Sequence, residues 1–326
     1  MKKLRWGLLG TARINRALLP PLRSSVRNEL TTVASRDLER AKVYADERNI
    51  PRVFGSYEAM LADPDVDVIY NSLPNSMHTE WTIKAAQAGK HVLCEKPLAI
   101  TVEEVDAITA AAKKAGVVVM EAFMYRHHPQ TLKVKELVDG GAIGKLQLVR
   151  GSFTFSISDE NDVRLNSSLG GGSIWDIGCY PISYTRLIVG AEPVEVFGWQ
   201  VTGKRSGVDE SFFGQMRFSN GVYAQFDCGF RTPHRTHIEL VGDEGSITLE
   251  VPFSPKLNEE IILINGDEKR IITIPGEDLY LGEVENMADA ILNGKAARMS
   301  LADSRDNVAV IKALLRSAHE GNSIKM

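Results

Sequence analysis

The 326-residue chain is poor in cysteine: Cys94, Cys179 and Cys228 are its only three, and no two form a C-x-x-C spacing. Scattered in this way they give neither a disulfide framework nor a thiolate zinc site. Cys94, inside an apolar run, reads as a small buried hydrophobe. An excess of one charge is also missing. The 38 Lys+Arg and 42 Asp+Glu leave a net −4, which gives no footing for nucleic acid or an acidic membrane surface. No apolar stretch reaches transmembrane length. The basic start Met1–Trp6 leads into an apolar run broken at Thr11, Arg13 and Asn15, too short for a signal-peptide core. The expectation is a soluble, reduced, cytoplasmic protein. Its 44% hydrophobic and 25% charged residues are material for a real core. At roughly 150 residues per domain, two domains are expected.

The stretch that organises the chain is His91-Val92-Leu93-Cys94-Glu95-Lys96-Pro97-Leu98. A short apolar run bounded by proline fits a buried parallel strand. Proline after Lys96 disfavours the α region for that lysine, holding it extended at the strand's carboxyl end. In open α/β sheets that edge is where ligands bind. Alone, the same residues could equally form a solvated turn.

Upstream, Leu4–Gly10 reads as a strand entering a glycine turn, with a helix opening at Thr11-Ala12-Arg13-Ile14 and ending before Pro20-Pro21. The dinucleotide fingerprint G-x-G-x-x-G is met only at Gly10, since Ala12 and Asn15 stand where the later glycines belong. Alanine is still small enough for a pyrophosphate to approach, and a helix N-terminus favours the anion. The next strand, Leu30–Ala34, ends in Ser35-Arg36-Asp37, and Arg40 follows a helical turn later. NAD enzymes put a carboxylate at this point for the ribose 2′-hydroxyl, whereas arginine accommodates the 2′-phosphate of NADP. A hydroxyl and two guanidiniums suit a phosphate dianion, so NADP(H) is expected over NAD(H). The alternative has Asp37 capping the helix Leu38–Arg48 with both arginines solvated.

Strand and helix signals then alternate. A strand Val66–Asn71 runs into Ser72-Leu73-Pro74-Asn75, with His78 on the following helix (Ser76–Ala88); this strand end is a second candidate cofactor contact, although His78 also reads as an ordinary helix-start residue. A Thr101-x-x-Glu104 capping box opens the next helix, and Val117–Ala122 is a further strand. The pattern predicts an α/β chain: an N-terminal Rossmann domain (1–122) with a doubly wound parallel sheet. After residue 123 come a helix over Gln130–Val138, strands over 146–155 and 194–274, and helices at Val284–Leu292 and Leu301–His319. These predict a C-terminal α+β domain (123–326) with a large, mostly antiparallel open sheet. His127 and His128 point to opposite sides of an extended chain and have no acidic or cysteine cluster with them, so no metal site is expected.

Within that half, Gly170-Gly171-Gly172-Ser173-Ile174-Trp175-Asp176-Ile177-Gly178-Cys179-Tyr180-Pro181 approaches a helix near Ser173. On it Asp176 and Tyr180, at i and i+4, share one face, and a carboxylate stacked beside a phenol can position a general acid/base. The pair could also be a surface aspartate with a core tyrosine.

Taken in order, the Gly10 turn, Glu95-Lys96-Pro97, and Gly171-Gly172 followed by Asp176 resemble the glucose–fructose oxidoreductase/inositol dehydrogenase/MocA (Gfo/Idh/MocA) family over essentially the whole chain. The resemblance implies that Lys96 is the catalytic lysine, that the C-terminal domain acts in substrate binding and oligomerisation, and that its open sheet forms an oligomer interface. Most members carry histidine where this chain has Tyr180. The tyrosine version resembles the branch with dimeric dihydrodiol dehydrogenases, NADP-dependent D-xylose dehydrogenases and keto-sugar reductases, which tends to carry arginines matching Arg36 and Arg40. The function so implied is hydride transfer between NADP(H) and a carbinol carbon of a sugar or polyol. Tyr180 would accept the hydroxyl proton, Lys96 would stabilise the oxyanion or itself move the proton, and Asp176 would orient the substrate or hold Lys96. Arg126, Trp175 and the loop 159–164 are candidate substrate contacts. An aldose 1-dehydrogenase acting on D-xylose or D-glucose is the first expectation, a keto-sugar reductase the second, and a non-catalytic NADP(H) sensor the third. An exposed sheet face needs covering, so a homodimer or higher homo-oligomer is expected.

Overall fold

A computed structural model describes residues 3–326. The chain separates into two compact units, Met1–His127 with Tyr280–Arg305, and His128–Leu279 with Asp306–Met326. The first of these units thus counts 280–305 with the N-terminal part of the chain. Arg27 accounts for part of this, because it pairs with Glu285 and, at 2.6 Å, with Asp289 on the helix Leu281–Asn293.

The first unit alternates β1 (Leu4–Leu9), α1 (Asn15–Ser24), β2 (Asn28–Ala34), α2 (Leu38–Glu47), β3 (Arg52–Phe54), α3 (Tyr57–Leu61), β4 (Val68–Asn71), α4 (Asn75–Gln87), β5 (His91–Glu95), α5 (Val102–Ala115) and β6 (Val119–Ala122). All strand pairs are parallel, in the order β3-β2-β1-β4-β5-β6. The order reverses beside β1, and the crevice at the carboxyl ends of β1 and β4 is where such folds take a ligand. The apolar strands are covered on both faces: Val68, Ile69, Tyr70, Val92, Leu93 and Cys94 are fully buried. Thr101 and Glu104 make the predicted capping box on α5.

One helix departs from expectation. α1 starts at Asn15, not Thr11, and continues through Pro20 and Pro21 to Ser24. The prolines remove the amides that would bond back to the Arg16 and Ala17 carbonyls. The buried face of Leu18, Leu19, Pro21 and Leu22 holds the helix across those missing bonds.

The second unit contains α6 (Pro129–Asp139), β7 (Leu146–Thr154), a π-helical turn (Ile174–Gly178) running into α7 (Cys179–Val189), β8 (Pro193–Thr202), β9 (Asp209–Phe218), β10 (Tyr223–Gly229), β11 (Arg235–Gly242), β12 (Gly245–Leu249), β13 (Glu259–Asn265) and β14 (Glu268–Ile274). After α8 (Leu281–Asn293, first unit) come α9 (Leu301–Glu320) and β15 (Ile324–Lys325). The sheet order is β14-β13-β12-β11-β7-β10-β9-β8-β15, antiparallel except where β7 meets β10. α7 lies on one face, so close that a Cβ at Gly151 would stand 2.8 Å from Pro181 Cβ. On the strands β8, β9 and β10, Trp199, Val201, Phe213 and Tyr223 remain exposed.

Candidate active site

The glycine turn after β1 has Gly10 at φ +86°, where a Cβ would stand 3.1 Å from Leu73 Cδ2 and 3.7 Å from the Tyr57 hydroxyl. Both the backbone and the space call for glycine. Asn15, in place of the fingerprint's last glycine, is buried and ties the turn together. Its amide donates to the Gly10 carbonyl at 2.9 Å, and its oxygen accepts from Ser72 at 2.6 Å. Ser72 also lies 3.1 Å from the Leu9 carbonyl, so this expected cofactor contact joins the β4 end to the β1 end. Thr11, Ala12, Arg13 and Ile14 form the turn itself, partly or fully open to solvent, ahead of the α1 N-terminus. A pyrophosphate fits such a turn.

At the end of β2, Asp37 accepts from the Arg40 amide at 3.1 Å and caps α2. Ser35 is buried and accepts from the Asp37 amide at 3.2 Å. The capping half of the alternative reading is therefore correct, but the arginines have company. Arg36 and Arg40 are exposed beside Tyr57, where burial pushes the phenol up and the Arg36 charge and hydrogen bond pull the other way. With its carboxylate turned to the helix and two cations at the rim, this corner fits a phosphate better than a bare ribose hydroxyl.

The Glu95-Lys96-Pro97 turn is held from three sides. Tyr70 on β4 donates to the Glu95 carboxylate, and burial raises the tyrosine far above its ordinary range. The Leu98 amide donates to Glu121 Oε1 at 2.8 Å from β6. His78 Nδ1 is 2.7 Å from the Pro97 carbonyl and its Nε2 2.7 Å from that of Leu73. Burial lowers His78 more than the two carbonyls raise it. Its ring thus links two backbone segments, the ends of the β4 and β5 strands. The Lys96–Pro97 peptide is cis, and Lys96 is half-buried. Leu73 abuts the glycine turn, while Pro74 and Asn75 open α4 at the same sheet edge.

In the second unit the glycine approach is tightly closed. The Gly171 and Gly172 amides donate to the Asn166 and Arg164 carbonyls at 3.0 and 2.9 Å, and a Cβ on Gly171 would run into Arg164. The helix expected from Ser173 begins as a π turn, so Asp176 and Tyr180 are not on one regular α-helical face. Asp176 Oδ2 accepts from Arg164 Nε at 2.8 Å. Tyr180 is buried with its ring 5.4 Å from Phe153 and 5.5 Å from Phe253. Trp175 is buried in the π turn. Arg126, in the first unit, is buried and donates to Asp303 at 2.9 Å, an ion pair that explains its burial. His128 caps α6, its Nδ1 accepting from the Gln130 amide at 3.2 Å.

Residues 4–123 match the family model described as an oxidoreductase family with an NAD-binding Rossmann fold, and residues 131–248 match the Gfo/Idh/MocA C-terminal domain. The chain belongs to the Gfo/Idh/MocA oxidoreductase family. Among its relatives, a D-xylose 1-dehydrogenase (NADP(+)) of Haloferax volcanii is 35% identical, covering 98% of this chain and 99% of the relative. The solved 3-ketoreductase KijD10 of Actinomadura kijaniata, in complex with NADP and TDP-benzene, is 30% identical at a TM-score of 0.92, covering 97% and 98% of the two chains. An aldose-aldose oxidoreductase of Caulobacter crescentus, complexed with glycerol, superposes at 0.92 with 28% identity over all of both chains.

Within this Gfo/Idh/MocA chain, four polar residues not singled out by the sequence brace the candidate residues: Tyr57 beside the Gly10 turn, Tyr70 and Glu121 at the Glu95-Lys96-Pro97 turn, and Asp209, which accepts from the Ser173 hydroxyl and the Ile174 amide. Glu121 carried a signal, being the lone polar group in a strand otherwise apolar enough to be covered on both faces, whereas Tyr70 shares its strand with Asn71. Tyr57 and Asp209 act across elements far apart in sequence, and nothing local marks them.

Proposed function

We propose that the protein is an NADP(H)-dependent oxidoreductase acting on a sugar, most directly an aldose 1-dehydrogenase on a D-xylose- or D-glucose-like substrate. The observation carrying the cofactor choice is the corner at the end of β2, where Asp37 is spent as a helix cap while Arg36 and Arg40 flank Tyr57 beside the Gly10 turn. The NADP(+)-dependent xylose relative supports the same choice. The pyrophosphate would lie on the Gly10–Ile14 turn and the α1 N-terminus.

When bound, the nicotinamide takes a hydride from the carbinol carbon in oxidation and returns it in reduction. This chain's residues handle the proton. In oxidation Tyr180 accepts it from the substrate hydroxyl, and cationic Lys96 stabilises the charge that develops on that oxygen. Asp176, held by Arg164, orients substrate hydroxyls. Lys96 is fixed for its role by a turn anchored through Tyr70, His78 and Glu121.

The resemblance to a 3-ketoreductase favours a second reading, NADPH-dependent reduction of a keto-sugar. Initial rates decide between them. NADP⁺ reduction with free aldoses supports the dehydrogenase. Silence there with NADPH oxidation by keto-sugars supports the reductase, and silence in both directions contradicts the whole reading.

The protein also forms a homodimer, in this reading, through the exposed face of β8–β10. Trp199 lies directly opposite Phe213 in the sheet register, and Tyr223 opposite Arg217 on the same side. Large apolar side chains clustered in solvent are the mark of an interface.

A further inference from the structure

We propose that Asp209 is a positioning residue: from β9 it clamps the entry of the π turn that carries Asp176 and leads into Tyr180. The proposal deepens the reading above and rests on it for the roles of those two residues. Ser173, the residue that should cap this turn, makes no cap with its own side chain. Its hydroxyl instead donates to Asp209 Oδ2 at 2.7 Å, and the Ile174 amide donates to the same oxygen at 2.8 Å. Gly172, at φ +125°, brings the chain so close that any Cβ would run into the other Asp209 oxygen. A single carboxylate therefore fixes three consecutive residues. The π turn needs such fixing, since its hydrogen bonding is irregular and such turns are frequent at functional sites.

A charge is an expensive way to do this. Asp209 is buried, and burial pushes its carboxyl up to about 6 against the hydrogen bonds from Ser173 and Ile174. Two thiols lie beside it: Cys228 on β10, 3.6 Å from the Ser173 hydroxyl, and Cys179, which interacts with Cys228. An asparagine of the same shape could accept the Ile174 amide without a desolvated charge. What the charge adds is a stronger, charge-assisted bond and a favourable interaction with the turn's N-terminus. Stability given up for a stiffer active-site element is a recognised exchange.

The test is Asp209→Asn in the full chain. Because the folded carboxyl titrates above its unfolded value, ionised Asp209 costs stability above about pH 6. The variant should then unfold at a temperature equal to or above wild type at pH 7.5. The amides of residues 174–180 should exchange with deuterium at least about tenfold faster at pH 7.5, with the difference closing at pH 5, where wild-type Asp209 is itself protonated. For the NADP-linked reaction, kcat should fall about tenfold or more with the cofactor KM unchanged, a split that a general loss of fold does not give. The wild-type acid limb near pH 6 should be absent in the variant. Ser173→Ala, which leaves the Ile174 bond in place, should shift exchange in the same direction by less. Unchanged exchange and unchanged kcat with a lowered melting temperature would overturn the proposal and leave Asp209 a purely structural residue. A wild-type protein without turnover would count against the functional reading alone, because the exchange comparison still decides the clamp.

Discussion

Tyr70, His78 and Glu121 brace the Glu95-Lys96-Pro97 turn, and Asp37 caps α2 beside Arg36 and Arg40. That cap leaves two guanidiniums at the rim of the glycine turn with no carboxylate to receive a ribose diol. Replacing both arginines by alanine should raise KM for NADP⁺ roughly 10- to 100-fold, the value of one or two charged hydrogen bonds at about 1.5–3 kcal/mol, while KM for NAD⁺ stays as it was. Steady-state kinetics with both cofactors checks it: an unchanged KM for NADP⁺ would mean the arginines only face solvent, and equal losses for the two would contradict a role at the 2′-phosphate. The sequence made these arginines legible because they follow a strand end at the spacing the ribose site needs. Tyr57 was not, because its phenol reaches Gly10 from α3, about 50 residues downstream.

Each of β1, β2, β4, β5 and β6 was readable as a short apolar run between helix signals, since buried parallel strands need apolar residues on both faces. β3 and α3 span only three and five residues and carry no period to read. α1 runs past Pro20 and Pro21, which read as a stop in the sequence, because the burial of Leu18 and Leu22 outweighs two lost hydrogen bonds. The π turn was invisible, because the same side-chain pattern serves an ordinary helix. His78 joins the β4 and β5 turns, and its loss tests that link. The neutral ring has one N–H to donate, so His78→Ala should strip one buried carbonyl of its partner and lower stability by about 1–3 kcal/mol in urea unfolding, the cost of one unsatisfied group. Burial lowers His78, and lowers His127 to about 3, so both are neutral when folded and take up protons on unfolding. Stability from these groups is present above about pH 6.5 and is lost as pH falls below it. His127→Gln should therefore flatten the drop in urea midpoint between pH 7 and pH 5, and an unchanged slope would contradict it.

Across the whole chain, the two-layer plan of a parallel and a mostly antiparallel sheet followed from the change in periodicity near residue 123. The return of α8 to the first unit did not, because it depends on Arg27 meeting Glu285 and Asp289 some 260 residues away. Trp199, Val201, Phe213 and Tyr223 lie exposed together on one face of β8–β10. If this face closes the proposed homodimer, Trp199→Arg should lower the mass from dimer to monomer in size-exclusion chromatography with light scattering, and an unchanged mass would contradict that interface. The central claim, that this chain moves a hydride with Lys96 handling charge at the substrate oxygen, is tested most directly by Lys96→Met. With the best aldose or keto-sugar as substrate, the account predicts that turnover is abolished while NADPH still binds, measured by fluorescence titration of the same sample. Turnover close to wild type in that variant would contradict it.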